Sequence, residues 1–296
     1  MKVAIGGASG FIGTALVPAL EAEGHEVLRL VRHEPQDAAE IRWDPAAGLV
    51  DSSSLAGMGA LVCLNGATIA QRWTDGRKRE ILESRTSTTS LLARTAAQLE
   101  PQPVLICASA MGAYGDRGDE ILTEESERGS GFLADVVRSW EAAADPARAA
   151  GVRVVHFRHG HVLSGRGGLL ERLLVPFKLG LGGRLGSGKQ WWSWIELHDL
   201  TSAYGLALNT DLDGVVNLVT PNPVTNAQFA AALGKALRRP AVLPTPTLAL
   251  KTRFGSEMVE DALLSGQRLL PARLLDAGFE FSAATIDVAL ERALRA

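Results

Sequence analysis

The sequence is poor in cysteine, in tyrosine and in net positive charge, and each shortage removes a class of protein. Cys63 and Cys107 are the only cysteines among 296 residues. Each closes an apolar run, so they read as reduced core thiols of a cytoplasmic protein and not as a disulfide framework. Lys and Arg number 30 against 33 Asp and Glu, a net charge of -3 that leaves no footprint for nucleic acid or an anionic membrane. There is no run of about 18 apolar residues, so no spanning helix is expected. The first residues already read as a strand, which argues against a signal peptide. The histidines lack acidic or cysteine neighbours at ligand spacing, so no metal site is expected.

Against these shortages stand 31 glycines and a hydrophobic content of 46%, ample for a sizeable core. The apolar strand Lys2-Val3-Ala4-Ile5 runs into Gly6-Gly7-Ala8-Ser9-Gly10-Phe11-Ile12-Gly13, in which Gly7, Gly10 and Gly13 give G-x-x-G-x-x-G. A strand, a glycine turn and a helix start bring backbone N–H groups to face a pyrophosphate. Glycine is needed because the turn requires φ angles that side chains resist, and because a Cβ would hold the phosphate off the backbone. A helix over 11–23, ended by Gly24, and a strand over 26–31 complete a βαβ unit. An NAD site carries a carboxylate at the tip of that second strand, for the ribose 2′-hydroxyl. Here the tip reads Leu30-Val31-Arg32-His33. With no acid present, Arg32 reads as the partner of the 2′-phosphate of NADP(H), the alternative being a solvated strand-end charge.

Further strands are predicted at 41–43, 60–64, 104–108, 153–157 and 215–219, and helices at 74–99 (capped by Thr74), 132–150, 169–178 and 199–209 (capped by Asp199). The alternation predicts an α/β protein with a Rossmann-type doubly wound parallel sheet over 1–220, with a substrate-side insertion at about 163–190. Helical patterns at 225–238, 247–253, 257–264 and 283–294 predict a smaller, mostly helical C-terminal substrate lobe over 221–296. Strand ends deliver Asn65-Gly66-Ala67 and Ser109-Ala110-Met111-Gly112-Ala113-Tyr114-Gly115 to the carboxyl edge, beside the cofactor.

With these segments in place, the chain resembles the atypical extended short-chain dehydrogenase/reductases of the nucleoside-diphosphate-sugar-epimerase-like group, sometimes labelled cell-division-inhibitor-like. The resemblance rests on Arg72-Trp73-Thr74, Ser84-Arg85-Thr86, the Ser109–Gly115 segment, Phe132-Leu133-Ala134 with Trp140-Glu141, and Arg158-x-Gly160-x-Val162-Leu163. Gly188-x-Gln190-Trp191-Trp192-Ser193-Trp194-Ile195, Pro221-x-Pro223-Val224-Thr225-Asn226 and a tail with Gly266-Gln267-Arg268, Pro271 and Gly278-Phe279 extend it over essentially the whole chain. It implies an NADP(H)-binding Rossmann domain held through Gly7, Ser9, Gly10, Phe11, Ile12, Gly13, Arg32, Asn65, Gly66, Ala67, Arg85 and Ser109. A short C-terminal substrate domain is implied with it.

The resemblance also exposes a departure. The wider superfamily works with Ser, Tyr and Lys, the last two as Tyr-x-x-x-Lys, the Lys lowering the Tyr pKa. The matching positions here are Leu133 and Val137, neither of which can transfer a proton. Ser109 matches the catalytic serine. Tyr114 is expected either as a proton donor or as a packing aromatic. His159 and His161, two apart at a strand end, are expected to look the same way into the cleft. Gly183–Gln190 fits part of a phosphate loop, but Gln190 replaces its hydroxyl residue, so a substrate-side loop offering Arg184 and Lys189 is expected. Two functions stand: an NADP(H)-dependent oxidoreductase or epimerase-like enzyme on an unidentified small molecule, or a non-catalytic NADPH sensor. A homodimer is the assembly left open.

Overall fold

In the computed structural model, which describes residues 1–295, eight strands form one sheet. These are β1 (Lys2–Gly6), β2 (Glu26–Val31), β3 (Glu40–Asp44), β4 (Leu49–Val50), β5 (Ala60–Cys63), β6 (Val104–Ala110), β7 (Val154–His159) and β8 (Gly214–Leu218). Their order is β8-β7-β6-β5-β1-β2-β3-β4, and every pair is parallel except β3 with β4. The chain leaves β1 through β2, β3 and β4, then returns to the other side of β1 with β5. Strand order therefore reverses between β1 and β5, which opens a crevice at their carboxyl ends.

The central strands β1, β5 and β6 read as nearly unbroken apolar runs because helices cover both faces. On one face α1 (Gly13–Ala22) and the helix Leu197–Asn209 bury Leu16, Leu20, Leu200 and Tyr204 against Val3, Ile5 and Val62. On the other, α2 (Asp75–Ala96) and the short helix Asp145–Ala149 pack Leu91, Leu92, Ala96 and Ala147 against Leu61, Leu105 and Cys107. Thr74 caps α2 as expected, accepting from the Arg77 amide. The helix expected over 132–150 is two helices: α3 (Phe132–Ala142) stops at Ala143, and Pro146 sits in the first turn of the next.

Asp199 does not cap its helix. Glu196 is the N-cap, accepting from the His198 amide, while the Asp199 carboxylate takes N–H donors from Ser282 and Ala283. Both ends of the insertion and the late helices Asn226–Leu237 and Ile286–Arg295 share a separate apolar core that includes Leu170, Phe177, Trp192, Trp194, Phe229 and Leu290. The segment after residue 265 is not confined to that core. Arg268–Leu269 pairs with Ile121–Leu122, and Leu274 is buried with the sheet residues Val216 and Leu218. Two further short pairs, Trp191–Trp192 with Val224–Thr225 and Trp194–Glu196 with His161–Leu163, were not expected.

Candidate cofactor and substrate site

The crevice is floored by the glycine turn. Gly7 has φ +85°, and the Gly10 amide donates to its carbonyl. A Cβ on Gly13 would lie 2.3 Å from the Gly7 oxygen and 2.6 Å from the Ala8 Cα, so no other residue fits there. A Cβ on Gly7 would meet the Leu64–Asn65 backbone at about the closest packing distance, 3.1 Å. The N-cap Ile12 offers α1 no side-chain acceptor. The amides of Ser9, Phe11 and Ile12 donate to nothing among the described residues. These N–H groups at a helix start form a cradle for an anion.

Two cations flank the cradle. Arg32, exposed just beyond the end of β2, has no hydrogen bond or ion pair among the described residues; of the acids near it, Glu34 is taken by Arg42 and Glu40 by Arg29. Arg85 projects from α2 under the β5 loop. Its guanidinium donates to the Ala67 and Ile81 carbonyls, lies 5.1 Å from the Trp140 ring centroid, and would be 3.0 Å from a Cβ on Gly66. Burial and the neighbouring Arg77 charge bring its pKa down to about 10, so it stays cationic at neutral pH without a carboxylate partner. The Ala67 amide donates to Ser84 Oγ, which fixes the loop. Phe11 closes the cradle from the side, since a Cβ on Gly167 would lie 2.3 Å from its ring.

The residues expected to do chemistry are placed differently. Ser109 is 2% exposed and donates to Glu141 Oε1 at 2.6 Å. Tyr114 has no exposed surface, and its hydroxyl donates to Asn217 Oδ1 at 2.7 Å. Burial raises the Tyr114 pKa despite Arg158, whose guanidinium is 4.8 Å from the ring. Both oxygens are buried and engaged in this structure; of the two roles expected for Tyr114, packing is the one its surroundings match. Both belong to a buried polar layer centred on Glu141 and Arg158, which pair through Nε–Oε1 and Nη2–Oε2 contacts of 2.9 Å, with Arg128 on the same carboxylate. Burial opposes ionisation of Glu141, but hydrogen bonds and charge from Arg158 outweigh it and hold the carboxyl at about 2.

Leu133 and Val137 lie on α3 as expected. Leu133 packs over Gly112, and Val137 is buried against the Tyr114 cluster. The Asp261 carboxylate accepts from the Leu133 amide at 3.0 Å, tying the C-terminal segment to the start of α3. His159 and His161 do not look the same way. Gly160 separates two strands, so His159 Nε2 meets the Tyr204 hydroxyl at 3.0 Å while His161 lies against Trp192. Removal from water brings both down to about 4, so both are neutral at pH 7. The Gly183–Gln190 loop is held by its own backbone and by the C-terminal segment: Gln190 donates to the Leu185 and Leu263 carbonyls, Arg184 to the Gly186 carbonyl, and the Leu185 amide to Asn226 Oδ1.

Sequence reasoning assigned no role to Arg128, Glu141, Arg158 or Asn217. The available signal was a charged Arg158 inside the apolar strand 154–159, which demands a buried counter-charge.

A parallel sheet whose switch point carries a glycine cradle, with no acid at the tip of β2, defines a dinucleotide-binding short-chain dehydrogenase/reductase. The chain belongs to the NAD dependent epimerase/dehydratase family, whose pattern matches residues 3–218; a domain of unknown function (DUF1731) matches 245–293. It is 44% identical over 290 residues to the epimerase family protein Mb2239 of Mycobacterium bovis, covering 97% of this chain and 96% of that one. A crystal structure of the human epimerase family protein SDR39U1 (isoform 2) with NADPH superposes with a TM-score of 0.89 at 35% identity, covering 100% of this chain and 99% of that one. A nucleoside-diphosphate sugar epimerase from Corynebacterium glutamicum superposes at 0.81 with 40% identity, over 99% of this chain and 58% of the other.

Proposed function

We propose that this protein is a cytoplasmic NADP(H)-dependent oxidoreductase of the epimerase-like type that acts on an unidentified small molecule. The observation that carries the reading is the unpaired Arg32 beside a cradle of free amides, where an NAD site would have a carboxylate. The human relative crystallised with NADPH supports it. Gly7 to Gly13 would hold the pyrophosphate, Arg32 the 2′-phosphate, and Asn65 to Ala67 with Arg85 the inner half of the cofactor. When bound, NADPH supplies a hydride. The lobe formed by the insertion and the segment after residue 221 closes over Phe11 and forms the substrate side. The test is a titration with both dinucleotides. NADPH binds more tightly than NADH, and Arg32→Ala weakens NADPH by roughly ten- to hundredfold, the value of a charge-assisted contact of about 1.5–3 kcal/mol, while leaving NADH unchanged. Equal affinities for the two cofactors would exclude the assignment.

A second reading, an NADPH sensor without turnover, is favoured by the buried Ser109 and Tyr114 and by Leu133 and Val137 at the proton-transfer positions. Stopped-flow oxidation of bound NADPH against carbonyls and quinones separates the two. Turnover supports the enzyme, and tight binding with complete inertness supports the sensor.

A further inference from the structure

Beyond the end of β8, with four strands between it and β2, the chain lines a second cavity of about 440 Å³. Its apolar walls are Ile121, Pro221, Pro223, Leu270 and Ile286. Arg268 and Trp191 form another wall, the guanidinium lying 4.2 Å from the indole centroid, and Asn222, Val224 and Thr285 complete the lining. Trp191 is fixed twice, by its backbone pairing with Thr225 and by an Nε1–H bond to Asp119 at 2.7 Å. Asp119 lies beyond ion-pair distance of Arg268, and Arg268 has no hydrogen bond or ion pair among the described residues. None of these residues belongs to the dinucleotide cradle.

A guanidinium carbon 4.2 Å above a rigid aromatic ring is placed without using any N–H group, so its donor edge is left free. That edge matches the two oxygens of a carboxylate. The volume lies within the range of about 300–1,000 Å³ typical of small-molecule sites, and the walls offer apolar surface with a single cation. We infer that this cavity binds a small amphipathic carboxylate, its oxygens on the Arg268 fork and its apolar body between Ile121, Pro221, Leu270 and Ile286. The walls come from the loop after β6, Trp191, the segment after β8 and the C-terminal tail. An occupant therefore bridges segments that meet only in the folded chain.

The full chain is titrated calorimetrically with 3-phenylpropionate and with octanoate, each beside its primary amide. At least one carboxylate binds saturably at one per chain, and its amide binds at least tenfold more weakly. Arg268→Met weakens the carboxylate at least tenfold with an unchanged thermal midpoint, and Arg268→Lys, which keeps the charge but loses the fork, falls between. Ile121→Asp, at a position 51% exposed, guards against a misfolded Arg268 variant and weakens the carboxylate through like charge. No saturable binding of either carboxylate, an amide that binds as well, or undiminished affinity in Arg268→Met or Ile121→Asp overturns the inference. NADPH plays no part in any arm, so failure here is distinct from failure of the oxidoreductase reading.

Discussion

Glu141 and Arg158 face each other with 3% of each side chain exposed, and such a pair is more informative when broken than when counted. Glu141→Gln leaves Arg158 buried without its counter-charge, and removal of one partner of a buried pair costs about 3–5 kcal/mol. The same pair gives an acid-side pH dependence. The carboxyl pKa falls from 4.5 to about 2 on folding, so its contribution is fully present above 4.5 and is lost as pH falls toward 2. Acid melts of Glu141→Gln lack that component, which a series of thermal midpoints between pH 5 and 2 would show. His156, His159 and His161 act earlier on the same side. Each has its pKa lowered from 6.5 to about 4, chiefly by removal from water. The unfolded chain thus takes up protons that the folded chain refuses, and stability drops as pH falls from 6.5 toward 4. His161→Phe removes part of that slope; an unchanged slope would show that His161 is not held neutral by the fold.

At the level of elements, α1 was legible because its determinants are local. A strand, three glycines at fixed spacing and Gly24 as terminator all lie within 24 residues. Gly13→Ala puts a Cβ 2.3 Å from the Gly7 carbonyl and is expected to abolish dinucleotide binding, with a lower thermal midpoint, because the clash is with backbone that cannot swing aside. The helix Leu197–Asn209 was legible as a helix, but the task of Asp199 was not. Its carboxylate serves Ser282 and Ala283, 83 and 84 residues away, and no local pattern announces a cap supplied to a distant segment. Asp199→Ala is expected to cost about 1–3 kcal/mol by leaving those donors unpaired. The loss appears as faster amide exchange in the helix Ile286–Arg295, to which they lead.

For the whole molecule, the boundary expected at residue 220 marks the end of the sheet but not the end of its core. Leu274 is buried with sheet residues and Leu269 is fully buried, so the tail completes the packing begun by β1. A chain ending at residue 264 is expected to lose cooperative melting and to precipitate, as monitored by circular dichroism and light scattering; a soluble, cooperatively folding product would show that the tail is dispensable. The insertion and the last helices share one core for the same reason, since neither buries its apolar stripe alone.

The doubly wound sheet, the glycine cradle and the absence of an acid at the end of β2 could be read before any fold was known, because they depend on periodicity and on residues close together in the chain. Where Ser109, Tyr114, His159 and His161 point was settled instead by the packing of distant segments. Their orientation is set by partners 31 to 103 residues away, Glu141, Tyr204, Trp192 and Asn217, whose approach follows from how the strands stack. The cavity beside Arg268 belongs to the same class, as it exists only where separate stretches around residues 121, 191, 221–224 and 268–286 meet.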